Sequence, residues 1–487
     1  MHRPRSHAVR SGHRPAAADA APEQRDPSWA VLIVVCLAQF MVILDGTVVN
    51  VALPSIGRAL HFPSGDLQWV VSGYVLVSGG LMLLGGRAAD VAGRRRVFLA
   101  GLTVFTAASL ASGLAPTSGA LVAARAGQGL GAALLTPAAL SIITTSYSGA
   151  RRGAALSAWG AIAAGGAAAG VLAGGILTTW LGWRSVFLIN VPVGLTAGLL
   201  SLHLVPRSRP TGGNGRELDL PGALLVTAGL VTGVYAISEA PVHGWGSART
   251  LLLLAASVGL LAAFAVAERS TRRPLVPPRT WRPRSLVAGL AVMLGATGVL
   301  IGTFFLNSLF LQDVQGASAL RAGLEFLPLV AVIGLGAHTT SKLLPRAGSR
   351  ALSVAGLVLM GGGALLLSAA SANSGYLTGV LPGLLLVGAG TGVVFPAASV
   401  TALSDADDDR AGVASGLLTT AHDIGAALGV AVFSAVATTQ VPVGAGFAVG
   451  YRHGFVVAAV IAASFAVIAL IALPAVRPMP GARTGVH

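Results

Sequence analysis

Fourteen long apolar segments follow one another along this 487-residue chain, with short polar breaks between them. They begin near residues 29, 67, 97, 119, 154, 184, 219, 249, 285, 322, 350, 377, 411 and 451. Each offers the roughly 20 apolar residues that a helix needs to cross about 30 Å of hydrocarbon. One such segment alone is also typical of a buried core helix, but fourteen in series leave no soluble domain to bury them. The sequence therefore predicts an all-α integral membrane protein.

Composition and basic residues extend this prediction to orientation. Hydrophobic residues make up 54% of the chain and charged residues 10%, which is too little polar surface for a soluble globule of this size. With the N-terminus inside, 26 of the 32 basic residues fall on the inner side, five fall outside, and Arg125 lies within a helix. The positive-inside rule then places both termini in the cytoplasm. The net charge of +15 predicts contact with anionic lipid rather than with nucleic acid.

The chain also contains an internal repeat. GLGAALLTPAA at residues 129–139 returns as GAGTGVVFPAA at residues 388–398. Asn50 likewise matches Asn307, and Gly93 matches Gly348, at offsets of 257 and 255. Parallel six-helix repeats with a substrate site between them are a recurrent plan of transporters. The helices near residues 219 and 249 fall between the copies and are interpreted as an insertion.

These observations predict five regions. The boundaries are a disordered cytoplasmic tail at 1–28, a six-helix bundle at 29–205, a linker with two inserted helices at 206–284, a second six-helix bundle at 285–475, and a cytoplasmic tail at 476–487. Cys36 is the only cysteine, so disulfides within the chain are excluded. Regular ligand spacing for a metal is missing from the sequence, as is a catalytic constellation, so neither a metal site nor an enzyme is expected.

The loop after the second helix reads GRAADVAGRRR from Gly86 to Arg96. Gly86 and Gly93 are expected to permit a tight turn, Asp90 to lie against a helix N-terminus or an arginine, and Arg94 to anchor the inner face. This pattern resembles the loop motif of the major facilitator superfamily. The second copy keeps Gly348, whereas Pro345 stands where Asp90 would be.

Three further stretches are similar to the drug:proton antiporter branch of that superfamily with 14 spans. They are LDGTVVNVALP ending the first helix, RAGQG in the fourth, and WRSVFLINVPVG opening the sixth. The exporter-associated glycines of helix five stand at Gly166, Gly170, Gly174 and Gly175, but Val171 replaces the usual proline. Glycine-rich helices in lipid pack closely. Both static packing and a hinge between two states are compatible with this pattern.

The resemblance implies that protons drive transport, and the residues suggest how. Asp45 lies about six residues before the outer end of helix one, and Arg125 about six after the outer start of helix four. At 1.5 Å per residue, both are roughly 9 Å below the surface and are expected to face each other. Protonation of Asp45 would release Arg125, although a permanent ion pair that only joins two helices is the alternative. The second copy has Gly302 and Leu384 at these positions.

Asp423, near mid-membrane in helix thirteen, is the third candidate for proton coupling. Its neighbour His422 is a candidate for the substrate cavity or for a bond to a nearby carbonyl. The other cavity candidates are Asn50, Gln128 and Asn307.

The predicted function is a proton-coupled exporter of drugs or antibiotics across the plasma membrane by alternating access. Exporters or importers of an endogenous metabolite or siderophore on the same fold are the alternative. The chain lacks a nucleotide-binding loop, so the expected energy source is the proton gradient, without a cofactor. The expected partners are the lipid bilayer, protons and a small amphipathic substrate, and the protein is expected to be monomeric.

Overall fold

The computed structural model describes residues 29–63, 66–147, 149–206, 219–271, 274–405, 408–439, 447–474 and 476. These residues form helices and turns and contain no strand. Fourteen helices are long and apolar enough to cross a membrane, which confirms the predicted all-α membrane architecture. The tails predicted at 1–28 and 476–487 lie outside the described residues, apart from Val476, and so does 207–218 of the linker.

The spanning helices are numbered α1 to α14 in chain order. They are α1 Trp29–Ala59, α2 Trp69–Ala92, α3 Arg94–Gly113, α4 Ser118–Ser146, α5 Gly149–Trp180, α6 Ser185–Leu204, α7 Leu220–His243, α8 Ala248–Ser270, α9 Arg284–Leu309, α10 Ala319–Ala347, α11 Ser349–Ser368, α12 Leu381–Leu403, α13 Asp408–Thr439 and α14 Phe447–Ala472. α6 is interrupted between Leu188 and Asn190. π-Helical turns extend α9 to Val314 and precede α12 from Tyr376.

The membrane-spanning parts of these helices start within three residues of the predicted positions. The end of α1 differs, because the helix continues through Pro54 to Ala59 instead of ending near residue 51. A proline inside a helix leaves the carbonyl four residues earlier without its usual donor. Here that carbonyl belongs to Asn50, and the Ser308 hydroxyl of α9 donates to it at 2.6 Å. A partner from another helix therefore lets α1 continue.

The molecule has two ends. We call the end where α1 begins and where α2 turns into α3 at Arg94–Arg96 the arginine-rich face, and the end where α1 stops the opposite face. Gly93, which joins α2 to α3, has φ of 95°, and Gly348, which joins α10 to α11, has φ of 79°. Both turns need a left-handed backbone that favours glycine. The repeat in the sequence is thus also a repeat of backbone geometry.

The two halves, α1–α6 and α9–α14, pack their helices in the same pairs. α4 contacts α2 and α3 as α12 contacts α10 and α11, and α1 contacts α5 as α9 contacts α13. Gly129 packs on Tyr74, and its counterpart Gly388 packs on Leu329, which lies 255 residues after Tyr74. A Cβ on either glycine would press into a backbone oxygen. The paired glycines are therefore scaffold residues that let helices approach closely.

Two seams join the halves. α2 packs against α13, and α5 packs against α10, so that equivalent helices form both seams. The inserted pair α7 and α8 pack on each other, and α7 lies over the α2–α13 seam. Gly80 of α2 approaches Thr227 of α7, and the Gln68 amide donates to the Ser238 hydroxyl at 2.5 Å. The insertion therefore packs along one seam of the bundle.

The pKa of Asp66, in the turn before α2, is raised by its surroundings. Desolvation and the negative charge of Glu239 on α7 raise the pKa of Asp66. A carboxyl group whose pKa is raised by folding stabilises the folded state below its unfolded pKa, and this contribution is lost as pH rises through the folded pKa. We expect Asp66→Asn to remove this loss, measured as the thermal unfolding midpoint in lipid nanodiscs at rising pH. Glu239→Gln should remove only part of it. Equal pH slopes for wild type and Asp66→Asn would contradict the assignment.

Candidate coupling site

A buried ion pair lies in the N-terminal half. Arg125 of α4 donates from Nη1 to Oδ2 of Asp45 on α1, and the two side chains are 1% and 0% exposed. The predicted contact between these residues is therefore present, while their part in proton coupling stays a prediction. The Arg125 Nε also donates to the Val70 carbonyl at 2.8 Å. The Tyr74 ring lies 4.4 Å and the Phe187 ring 5.7 Å from the guanidinium carbon. The cation is thus held between a carboxylate, a carbonyl and aromatic faces.

Two side-chain amides and two hydroxyls complete the site. Gln128 and Asn190 each donate from their side-chain nitrogen to Oδ1 of Asp45, at 2.9 and 2.8 Å. The same two nitrogens also donate to the Ser109 hydroxyl, at 2.6 and 3.2 Å. Gln128 accepts in turn from Arg125 at 2.9 Å and from Ser112 at 3.1 Å. This network places a donor at each carboxylate oxygen of Asp45, so that neither buried oxygen is left without a partner.

The predicted distance of Asp45 from the outer end of helix one is wrong. The sequence placed it about six residues before the outer end of helix one, but α1 ends at Ala59, 14 residues after Asp45. Arg125 lies seven residues after the start of α4 at Ser118, close to its predicted position. The error has the same cause as the error in the end of α1, since Pro54 does not terminate the helix when Ser308 supplies a donor.

Asp423 lies apart from this network, on the α2–α13 seam. Its Cβ would lie 2.7 Å from a Cβ on Gly79, and the neighbouring Thr420 hydroxyl donates to the Gly79 carbonyl at 3.2 Å. His422 contacts Asp423 at 3.3 Å and is 41% exposed. Tyr74, beside Arg125, also interacts electrostatically with Asp423. Asp423 is thus a carboxylate where the halves meet, and its function stays a prediction.

The predicted loop motif is only partly a turn. Gly93 forms the turn, Arg94 begins α3, and Asp90 is exposed in the last part of α2. Gly86 lies inside α2, so the expectation that it shapes the turn is wrong. Its neighbour Gly85 makes the close approach, because a Cβ there would clash with the Ala133 carbonyl of α4. Helix packing therefore accounts for Gly85, whereas a Cβ at Gly86 would meet Pro137 only at an ordinary contact distance of 3.7 Å.

The glycines of helix five divide into two sets. Gly166, Gly170 and Gly174 lie four residues apart and pack on α1 within the same half. Gly175 instead faces α10 of the other half, with Leu320 Cα 2.9 Å from its would-be Cβ. On α10, a Cβ at Gly323 would lie 2.8 Å from the Val171 carbonyl. One face of α5 thus packs against α1 within its own half, and the adjacent face packs against α10 of the other half.

Three of the four cavity candidates are buried and hydrogen-bonded in this conformation, and their place in a substrate cavity stays a prediction. Gln128 belongs to the coupling network, and Asn50 donates to the Gly46 carbonyl of its own helix at 3.0 Å. Asn307 donates to the Thr303 carbonyl at 3.0 Å and accepts from the Tyr451 hydroxyl at 2.9 Å. All three are buried, since polar side chains inside the bundle take partners from nearby helices. His422 is the accessible member of the set.

Sequence reasoning missed Ser109, Asn190 and Gly323. Asn190 belongs to the stretch WRSVFLINVPVG that carried the resemblance, but nothing local distinguishes it from an amide that bonds its own helix. Ser109 is a serine within an apolar helix, and such serines are too common to indicate a site. Gly323 does not stand out in the sequence of α10, and its role is visible only when α5 is packed beside it. Each is recognised from its contacts with distant helices.

Several hydrogen bonds between the halves lie near the opposite face. At that face Arg58 pairs with Asp313 at 2.5 Å, and the Gln312 amide donates to the Val51 carbonyl at 2.9 Å. The Leu320 amide of α10 donates to the Thr179 hydroxyl of α5 at 3.0 Å. These contacts hold the halves together at the end away from the arginines.

The sequence profile of the Major Facilitator Superfamily matches residues 35–430. The chain belongs to this superfamily. Members of the major facilitator superfamily are transporters, so the protein is a membrane transporter and not an enzyme. The fourteen helices agree with the 14-span branch that the sequence motifs resemble.

Similar proteins include several that are named for antibiotic resistance or export. The chain is 43% identical to the puromycin resistance protein pur8 of Streptomyces alboniger, over 86% of this chain and 84% of that protein. It is 42% identical to the cephamycin export protein CmcT of Amycolatopsis lactamdurans, over 83% and 84%. It is 38% identical to the lincomycin resistance protein of Streptomyces lincolnensis, over 87% of each.

A solved superfamily structure shares the fold. The peptide transporter POT in complex with sulfate superposes with a TM-score of 0.66, covering 90% of this chain and 93% of that chain at 16% identity. At this identity, the likeness shows the fold alone.

Proposed function

We propose that this protein is a proton-coupled exporter of antibiotics or similar drug-like compounds, and that it works by alternating access. One observation carries the proposal: the buried pair of Asp45 and Arg125 occurs in one half only. Their counterparts are Gly302 and Leu384, so packing of the shared scaffold does not require either charge. Charged side chains inside a membrane protein are costly and commonly functional. The relatives named for antibiotic export or resistance supply the substrate class.

In the proposed mechanism the charge state of Asp45 selects the conformation. The ionised carboxylate holds Arg125, and with it α1 against α4. When Asp45 takes a proton from water, the pair loses its attraction, and Arg125 keeps only neutral partners. The packing of α1 against α4 then changes. The two halves open at one face of the molecule while they close at the other. Return of the proton to the other side resets the pair, so that proton entry drives substrate exit.

Orientation follows from the arginines. We place the arginine-rich face in the cytoplasm and the protein in the plasma membrane, by the positive-inside rule. The hydrogen bonds between halves at the opposite face then form a closed outer gate. In this assignment the conformation receives substrate from the cytoplasm. Asp423 and His422, on the α2–α13 seam, are the polar groups proposed to meet a cationic substrate.

The test uses everted membrane vesicles from a host that expresses the protein. Respiration acidifies their lumen, and we expect puromycin, a cephamycin or lincomycin to accumulate there only while the gradient stands. An uncoupler should discharge the accumulated compound, and expression should raise the resistance of sensitive cells to the same compound. Matched vesicles from cells without the protein are the control. Accumulation that survives the uncoupler contradicts proton coupling, and accumulation in right-side-out vesicles instead contradicts export.

A further inference from the structure

The groups that contact the Asp45 carboxylate directly are all donors. Oδ1 accepts from the amides of Gln128 and Asn190, and Oδ2 accepts from the guanidinium of Arg125. An arginine has no acceptor, and an amide nitrogen has none either. Three donors suit an ionised carboxylate, but a protonated Asp45 carries an O–H that needs an acceptor of its own. The site as it stands therefore has no place for the proton.

Other groups near Asp45 do not supply the acceptor. Arg125 and Tyr74 are the titratable groups that α4 and α2 bring to it, and Asp423 of α13 lies beyond Tyr74. The helices α5, α6, α9 and α10 also pack against α1. The charged side chains of α5, α6 and α9 are at the helix ends, and the buried Glu325 of α10 pairs with Arg321 of its own helix. The acceptor must therefore come from rearrangement of a group already in the network.

The two amides differ in what a rotation would break. Gln128 is fixed by its oxygen, which accepts from Arg125 at 2.9 Å and from Ser112 at 3.1 Å. Asn190 uses only its nitrogen, for Asp45 and for Ser109, and its oxygen has no hydrogen bond among the described residues. Turning the Gln128 amide would leave two donors without their acceptor. Turning the Asn190 amide gives up the two bonds that its nitrogen donates, but it leaves no donor of another residue without its acceptor.

We propose that Asn190 is a proton-dependent positioning residue whose amide reverses when Asp45 is protonated. This inference rests on the proposed proton coupling at Asp45. A proton from water adds to the carboxylate, the new O–H bond is formed at Asp45, and the net charge of the site rises by one. The Asn190 oxygen then accepts from that O–H, while the Ser109 hydroxyl turns to donate to the same oxygen. Gln128 keeps its bonds throughout.

The position of Asn190 gives the reversal a route into the fold. Asn190 begins the second part of α6, immediately after the interruption that follows Leu188. Protonation of Asp45 on α1 is thereby linked to α3, through Ser109, and to α6.

Nitrogen-15 labelling of asparagine side chains tests the proposal directly. The chain has five asparagines, so the signal of Asn190 is assigned by comparison with Asn190→Leu in lipid nanodiscs. We expect its side-chain signal to shift between alkaline and acidic pH, and this shift to vanish in Asp45→Asn. An Asn190 signal that stays unmoved over the titration overturns the inference, whether or not the protein transports.

Transport provides the second readout. Asn190→Leu should lower gradient-driven accumulation by about tenfold or more, the fold-change of one charge-assisted hydrogen bond, and should flatten its pH profile. Gln39→Leu is the control, since Gln39 is a buried amide of α1 outside the network. Wild-type accumulation with an unchanged pH profile in Asn190→Leu contradicts the inference alone. Lack of gradient-driven accumulation in wild type contradicts the proposed function, and the labelling experiment still decides on Asn190.

Discussion

Asp45→Asn is expected to reduce gradient-driven accumulation in everted vesicles to the level of vesicles without a gradient. Asparagine keeps an oxygen for the donors Gln128 and Asn190, but it takes no proton in the accessible pH range. Its nitrogen also faces the Arg125 guanidinium as donor against donor. The variant therefore cannot change its charge at the position that couples the gradient to transport. Substrate exchange without a gradient should persist, because the variant leaves Asp423 and His422 in place.

Stability must be separated from coupling in this experiment. Removing one partner of a buried ion pair costs about 3–5 kcal/mol, because the other charge is left uncompensated. The double variant Asp45→Asn with Arg125→Gln removes both charges, and we expect it to regain stability but not coupling. Glu325→Gln is the matched control: it is a buried carboxylate paired with Arg321 on its own helix, away from the network. Gradient-driven accumulation in Asp45→Asn would remove Asp45 from the mechanism.

Gly323→Val is expected to hold the α5–α10 seam open. A Cβ at this position would lie 2.8 Å from the Val171 carbonyl, and a backbone oxygen cannot move aside as a flexible side chain does. Overpacking of this kind costs about 1–3 kcal/mol. Such a cost shifts an equilibrium between two conformations by about 5- to 150-fold. We therefore expect transport to fall within that range and the closed form of the opposite face to be depleted.

Cysteine cross-linking measures the closed form. Thr179→Cys and Leu320→Cys place thiols where the two helices now share a hydrogen bond of 3.0 Å. Cys36→Ser first removes the native cysteine. We expect Gly323→Val to lower the cross-linking yield, whereas Gly334→Val, on the same helix but facing open space, should not. Equal yields and equal transport in Gly323→Val and wild type would show that this seam is not a gate.

The fold was largely predictable from local patterns. Hydropathy located all fourteen helices, and the matching stretches around Gly129 and Gly388 revealed the repeat, which the structure extends to equivalent contacts on Tyr74 and Leu329. The end of α1 was not predictable in this way. Pro54 is a helix-ending signal when the neighbouring sequence alone is read, and only the Ser308 hydroxyl of α9 changes that outcome.

The site was predictable in its charges and not in its neutral members. Asp45 and Arg125 stand out because a charge in an apolar helix is costly wherever it lies, so their pairing was expected. Asn190 bonds to Asp45 across 145 residues of chain. An amide in an apolar helix has several ways to satisfy its hydrogen bonds, as Asn50 and Asn307 show by bonding to their own helices. The choice among them depends on which helix lies alongside.

The sequence by itself determined that this chain spans a membrane with fourteen helices in two related halves, and that Asp45 and Arg125 have no charged counterpart in the second half. Those properties follow from residues that are neighbours in the sequence. The free energy of placing a segment in lipid depends mainly on that segment's own side chains. The tertiary structure alone decided that Asn190 and Ser109 complete the network, that Gly86 packs inside α2, and that Gly175 and Gly323 form a seam. Such contacts depend on distances of a few ångströms between helices far apart in sequence, which no local pattern encodes.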